Sequence, residues 1–122
     1  MARLFFLLGS LLAGISVAVG SWGAHSGLFN EMQSLWIDKG VRYQMFHSLA
    51  LLCTSLLIAS QKQPARPAVL GGFCFLGGIV FFSGSLYLMA FSSVDTGYIT
   101  PAGGILFLAG WLCLAACRPG RK

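Results

Sequence analysis

Two histidines, His25 and His47, and two tyrosines, Tyr43 and Tyr87, are the side chains of this sequence best able to handle a proton or hold a ligand. Tyr43, Gln44 and His47 lie close together, and on a helix Tyr43 (i−4) and Gln44 (i−3) stand beside His47. Ser83, Tyr87 and Thr100 sit at a similar depth in their own apolar stretches, and His25 closes the first one. The seven residues are therefore expected to share one level and to gather into one outward-facing polar cluster. An ionisable group held in lipid is a candidate functional site by default. The plainer chemistry open to the same groups is hydrogen bonding between helices, which holds a bundle in register.

Other chemistries find less support. Two histidines on neighbouring helices are the axial-ligand pattern of haem, but His25 lies at a helix end, His47 lies a turn inside, and no further pair exists. Cys53, Cys74, Cys113 and Cys117 form no CxxC. A three-thiolate site from Cys74, Cys113 and Cys117 would bury anionic sulfur in an apolar layer, so the four read as small packing residues outside any disulfide framework. There is no nucleophile–base pairing, no paired carboxylates, no P-loop and no GxGxxG. No catalysis, metal or cofactor is expected.

The elements that position these groups follow from composition. Of 122 residues, 57% are apolar and 9% charged, against roughly a quarter charged in soluble domains. That is too little polar surface for a small water-soluble globule, so the chain reads as an integral membrane protein. Charge-free stretches run over 4–30, 43–61, 67–94 and 96–117. They show no strand-like alternation, and a crossing helix needs about 20 mainly apolar residues. The expected fold is all-α, a four-transmembrane-helix bundle forming a single membrane domain over 1–122, with helices at about 4–24, 43–60, 68–91 and 98–117.

Charge sets the expected direction. Arg3, Lys62, Arg66, Arg118, Arg121 and Lys122 fall on one side; Lys39 and Arg42 fall on the other with Glu31, Asp38 and Asp95. This positive-inside bias places both termini in the cytoplasm and makes the net charge of +5 an orientation signal. Its secondary partner is the headgroup layer of the lipid bilayer, and no basic face suits nucleic acid. Asp38 is expected to pair with Arg42, four residues on.

Local signals fill in the connections. A cleavable signal sequence is the rival reading of the amino terminus, given Arg3, the apolar run, and Ala18, Gly20 and Ser21. However, the uncharged run continues past that point to Asn30. Ser10, Gly14 and Ala18, spaced by four, also make a close-packing face that a discarded peptide would not need. Helix 1 is expected to stay. Pro64 and Pro67, with Lys62 and Arg66, break helix 2 from helix 3, and Gly97 suits a left-handed turn. Phe29, Met32, Leu35 and Trp36 recur at helical spacing within 28–42, which predicts an interfacial helix in the first outer loop. Gly71, Cys74, Gly78 and Ser85 mark a packing side of helix 3, and Ala102, Ala109 and Ala116 one of helix 4.

Four separated motifs bear a resemblance. They are Gly23-Ala24-His25; Arg42-Tyr43-Gln44 with His47; Phe82-Ser83-Gly84-Ser85-Leu86-Tyr87; and Ile99-Thr100-Pro101-Ala102-Gly103-Gly104 with Gly110-Trp111. In this order they resemble the family of small four-helix bacterial inner-membrane proteins that includes YgdD and is similar to eukaryotic transmembrane protein 256. The resemblance implies a four-helix inner-membrane protein without an established activity and supplies no catalytic residues. The leading expectation is a structural or accessory protein acting by helix–helix contacts, as a homo-oligomer or within a larger membrane complex. A small-solute or proton carrier using the His/Tyr/Gln cluster is the second reading, and a haem or quinone redox accessory subunit the third.

Overall fold

The computed structural model describes residues 1–63 and 66–117 and contains four helices among them. They are α1 (Ala2–His25), α2 (Glu31–Ala59), α3 (Arg66–Phe91) and α4 (Ile99–Ala115). Pro64, Arg118, Arg121 and Lys122, which entered the reading of breaks and charges, lie outside the described residues. The first three helices are 24, 29 and 26 residues long and apolar enough to cross a membrane; α4 has 17 residues.

The helices run antiparallel to their neighbours. Gly9 approaches Ser48 and Leu52, Gly20 approaches Val41 and Gly23 approaches Ile37, which lays α1 along α2. Ser83 bonds to Gly40 while Phe75 and Ile79 pack with Ala50, which sets α3 beside α2. Gly71 meets Gly110 and Cys113, and Gly103 meets Phe82, which closes α4 onto α3. One buried cluster, Phe5, Leu51, Ile58 and Ala68, fills the end that carries Arg3, Lys62 and Arg66, here called the basic end. A second, Ala50, Phe75, Ile79 and Phe107, lies further along the bundle.

Three features differ from the sequence reading. There is no separate interfacial helix before Tyr43: α2 begins at Glu31 and runs unbroken through the segment. Asn30 and Gln33 form a capping box, with Asn30 Oδ1 accepting from the Gln33 amide and Gln33 Oε1 from the Asn30 amide (2.8 and 3.0 Å). No proline follows, Asp38 and Arg42 pair at 2.7 Å, and Ile37 is buried against Gly23. The segment thus continues the bundle with one face on α1.

The second difference concerns small residues. Ser10, Gly14 and Ala18 face outward, with nothing within 4 Å of a Cβ added at Gly14; α1 packs instead through Phe5, Gly9, Ser16, Gly20 and Gly23. On α4, Ala102 and Ala116 are exposed and the seam is Gly103, Phe107 and Gly110. The side of α3 holding Gly71, Gly78 and Ser85 is buried as expected. Third, α3 contains a π turn over Ile79–Ser83, where the Gly84 amide reaches back to the Ile79 carbonyl. Gly97, at φ +52°, makes the turn before α4 with its amide donating to Asp95 Oδ1 at 2.9 Å.

Candidate functional site in the bundle

The π turn and the α4 seam determine which side chains meet. A Cβ on Gly103 would lie 2.3 Å from the Phe82 backbone nitrogen, so only glycine lets α4 approach the π turn this closely. That approach brings Phe107 and Trp111, one turn apart on α4, over His47 of α2. His47 and Phe107 stack with ring centroids 3.5 Å apart and planes at 11°. Similarly, Gly40 opens α2 to the Tyr87 ring, whose Cε1 lies 2.8 Å from where a Cβ would stand.

The expected cluster separates into three interhelical ties. In the first, the Tyr87 hydroxyl donates to Gln44 Oε1 (2.8 Å) and Gln44 Nε2 donates to the Leu12 carbonyl (2.8 Å). One carboxamide thereby joins α3, α2 and α1, and its orientation is dictated by a carbonyl that can only accept. Ser83 adds a bond from α3 to the Gly40 carbonyl at 2.7 Å.

In the second, the Trp111 indole N–H donates to His47 Nε2 at 3.1 Å, while His47 Nδ1 lies 2.6 Å from the Tyr43 carbonyl. Indole nitrogen donates only, so Nε2 must accept and the proton belongs on Nδ1, donated to Tyr43. Both ring nitrogens are therefore engaged in the neutral tautomer, and a second proton could enter only by breaking the Trp111 bond. Tyr43 itself packs its ring against Phe82, with centroids 4.5 Å apart and planes tilted by 34°, rather than bonding through its hydroxyl.

In the third, Thr100 and Ser85 share a short hydroxyl–hydroxyl bond across α3 and α4, and Ser85 Oγ lies 2.9 Å from the Phe82 carbonyl. His25 stands apart: it is exposed at the end of α1 and joins none of these ties. Among the described residues, every buried side-chain nitrogen or oxygen has a partner, and no three His, Cys, Asp or Glu side chains converge to hold a metal ion.

Phe82, Phe107 and Trp111 belong to the site and were absent from the sequence-derived set. A signal was available. An indole N–H within an apolar helix needs an acceptor, and Phe107 and Trp111 at i, i+4 present one face.

Comparison with known proteins places the chain. Residues 18–104 match the family model described as "Protein of unknown function (DUF423)". A UPF0382 membrane protein of Staphylococcus haemolyticus is 42% identical over 116 residues, covering 92% of each chain. One from Haemophilus influenzae is 40% identical over 118 residues, covering 94% of this chain and 93% of its own. The UPF0382 inner membrane protein YgdD of Escherichia coli K12 is 38% identical over 128 residues, covering 100% of this chain and 96% of its own. No solved structure matches. With an apolar four-helix architecture and relatives matching over nearly their full length, the chain belongs to the DUF423 (UPF0382) family of membrane proteins of unknown function.

Proposed function

We propose that this protein is a non-enzymatic accessory component of the bacterial inner membrane that works through helix–helix contacts, with further copies of itself or within a larger membrane complex. The observation that carries the reading is Gln44, whose amide and carbonyl groups are committed to two different neighbouring helices. A carrier needs polar groups free to change partners with a solute, whereas Gln44, His47, Ser83 and Thr100 are each engaged inside the bundle. The outward face of Ser10, Gly14 and Ala18 offers α1 a surface on which another helix can pack closely. Crosslinking in native membranes, followed by native mass measurement in mild detergent, is expected to show a homo-oligomer or a defined complex. A strict monomer with no partner overturns the reading.

The reading includes four spans with both termini cytoplasmic. Arg3, Lys62 and Arg66 share the basic end, while Glu31, Asp38 and Asp95 lie toward the other end of the bundle. In a cysteine-free background, single cysteines at Gln63 and Gly97 should label from opposite sides of intact cells, Gly97 from the periplasm. Equal labelling of both from outside refutes the topology.

A further inference from the structure

At the basic end, the first turns of α3 and the last turns of α4 leave a trough of about 490 Å³ between them, lined by Arg66, Pro67, Leu70, Leu112, Cys113 and Ala116. Its walls are apolar and turned outward: Leu70 is 58% and Leu112 72% exposed. Behind it the two helices touch, since a Cβ on Gly71 would lie 3.2 Å from both the Cys113 Cβ and the Gly110 carbonyl oxygen. Arg66, the first residue of α3, is exposed and has no hydrogen bond or ion pair through its side chain among the described residues. It also begins a 26-residue run apolar enough to cross a membrane. The guanidinium therefore stands at the edge of that run, where long cationic side chains reach the headgroups, and Leu70 stands a turn inside it.

We propose that this trough seats an acyl chain of an anionic phospholipid, phosphatidylglycerol by class, with Arg66 holding the phosphate. Such binding is separate from the accessory role above and requires only that α3 and α4 lie in the bilayer, facing either way. A chain laid between Leu70 and Leu112 touches both helices, where a chain on a smooth helix face touches one. Charge selects the headgroup. Glu31, Asp38 and Asp95 are the only acidic side chains of the sequence, and all lie toward the other end of the bundle, so Arg66 has no Asp or Glu to pair with. A guanidinium matches a phosphodiester with two parallel hydrogen bonds, and the amino-terminal dipole of α3 adds to its positive field. The ammonium of a zwitterionic headgroup would meet Arg3, Lys62 and Arg66 at this end and no acidic side chain, whereas a glycerol headgroup brings no cation to be accommodated.

The test titrates the full chain in maltoside micelles with phosphatidylglycerol, or with phosphatidylcholine of the same chains, and counts bound lipid by native mass spectrometry. Saturable uptake of phosphatidylglycerol is expected, with phosphatidylcholine about fivefold weaker. Arg66→Gln should raise the phosphatidylglycerol half-saturation about tenfold, the loss of a charged hydrogen bond, and erase the preference. Arg3→Gln and Lys62→Gln, at the same end but off the trough, should each move it by no more than about twofold. Ala116→Phe fills the trough with Arg66 in place and should abolish the saturable step. Should that variant unfold on a thermal scan, glycerol 3-phosphate replaces it: carrying the anion without the chain, it should not displace the lipid even at about a hundredfold excess. Equal half-saturation for the two lipids overturns the proposal by assigning the trough to acyl chains of any kind. Losses in the Arg3 and Lys62 variants equal to that of Arg66→Gln overturn it in favour of diffuse attraction. An unmoved Arg66→Gln or Ala116→Phe, or displacement by glycerol 3-phosphate, overturns it as well.

Discussion

Replacing Gln44 by Leu keeps nearly the same volume and removes two interhelical hydrogen bonds, to Leu12 and from Tyr87. Such bonds in membranes average about 0.6 kcal/mol, so the pair contributes about 1 kcal/mol. The hydroxyl of Tyr87, whose ring packs over Gly40, is then left without an acceptor, which costs about 1 kcal/mol more. The Leu12 carbonyl keeps Ser16 and its helix partner and adds nothing. The expected loss is about 2 kcal/mol, roughly a thirtyfold shift in the folding equilibrium. Tyr87→Phe removes one bond and bares Gln44 Oε1, for about 1.5 kcal/mol. The double variant removes both partners and leaves no orphan, so it should be no less stable than Gln44→Leu alone. A double-mutant cycle from reversible unfolding in mixed dodecyl sulfate and maltoside micelles measures this. Additivity of the two single losses, or a Gln44→Leu protein as stable as the parent, refutes the assignment of Gln44 as the three-helix tie.

Two further outcomes follow from the packing. Gly103→Ala drives a Cβ into the Phe82 backbone and should cost about 1–3 kcal/mol in the same assay, whereas Gly14→Ala, in open space, should be neutral or gain up to about 1 kcal/mol of helix propensity. Equal effects at the two glycines would show that the α3–α4 seam is misplaced. His47→Leu leaves the Trp111 N–H unpaired and should lower stability by about 1 kcal/mol, while His47→Gln supplies an acceptor and should recover most of it. Thermal unfolding in detergent compares them, and equal losses for both variants argue against a structural Trp111 bond.

The helices themselves are visible in the sequence because lipid leaves so few options: a long uncharged run must satisfy its own backbone, and Gln61–Pro67 and Asp95–Gly97 mark where two of them end. The start of α2 at Glu31 is hidden from hydropathy, because the charges at Asp38, Lys39 and Arg42 look like a loop when weighed by hydropathy alone. The Asn30–Gln33 capping box was the local signal that places it. Seams are harder, since glycine and alanine stripes one residue apart are equally apolar. Nothing local separates Ala102/Ala109 from Gly103/Gly110, and the choice follows from Phe82 and Phe75 on α3. That Tyr43, Gln44 and His47 stand within about one turn of each other follows from their spacing on one helix. Their division into separate ties depends on Leu12, Tyr87 and Trp111, distant in sequence, and on a π turn that no pattern in 79–83 announces.

The unequal helix lengths bear on the bilayer as an elastic sheet. At 1.5 Å per residue α2 spans about 44 Å and α4 about 26 Å, against a hydrocarbon layer of about 30 Å. The long helix, taken as a span, has room to carry its first turns, with Glu31 and Asp38, beyond the acyl region. Taken as a span, the short one obliges the lipid beside it to thin by about 4 Å, at a fraction of a kcal/mol per ångström. The trough between Leu70 and Leu112 lies along α4, on the side where such thinning would fall. Compressed lipid there lowers the work of replacing an annular chain, and two copies meeting along α4 would share one dimple in place of two, an attraction that grows with membrane thickness.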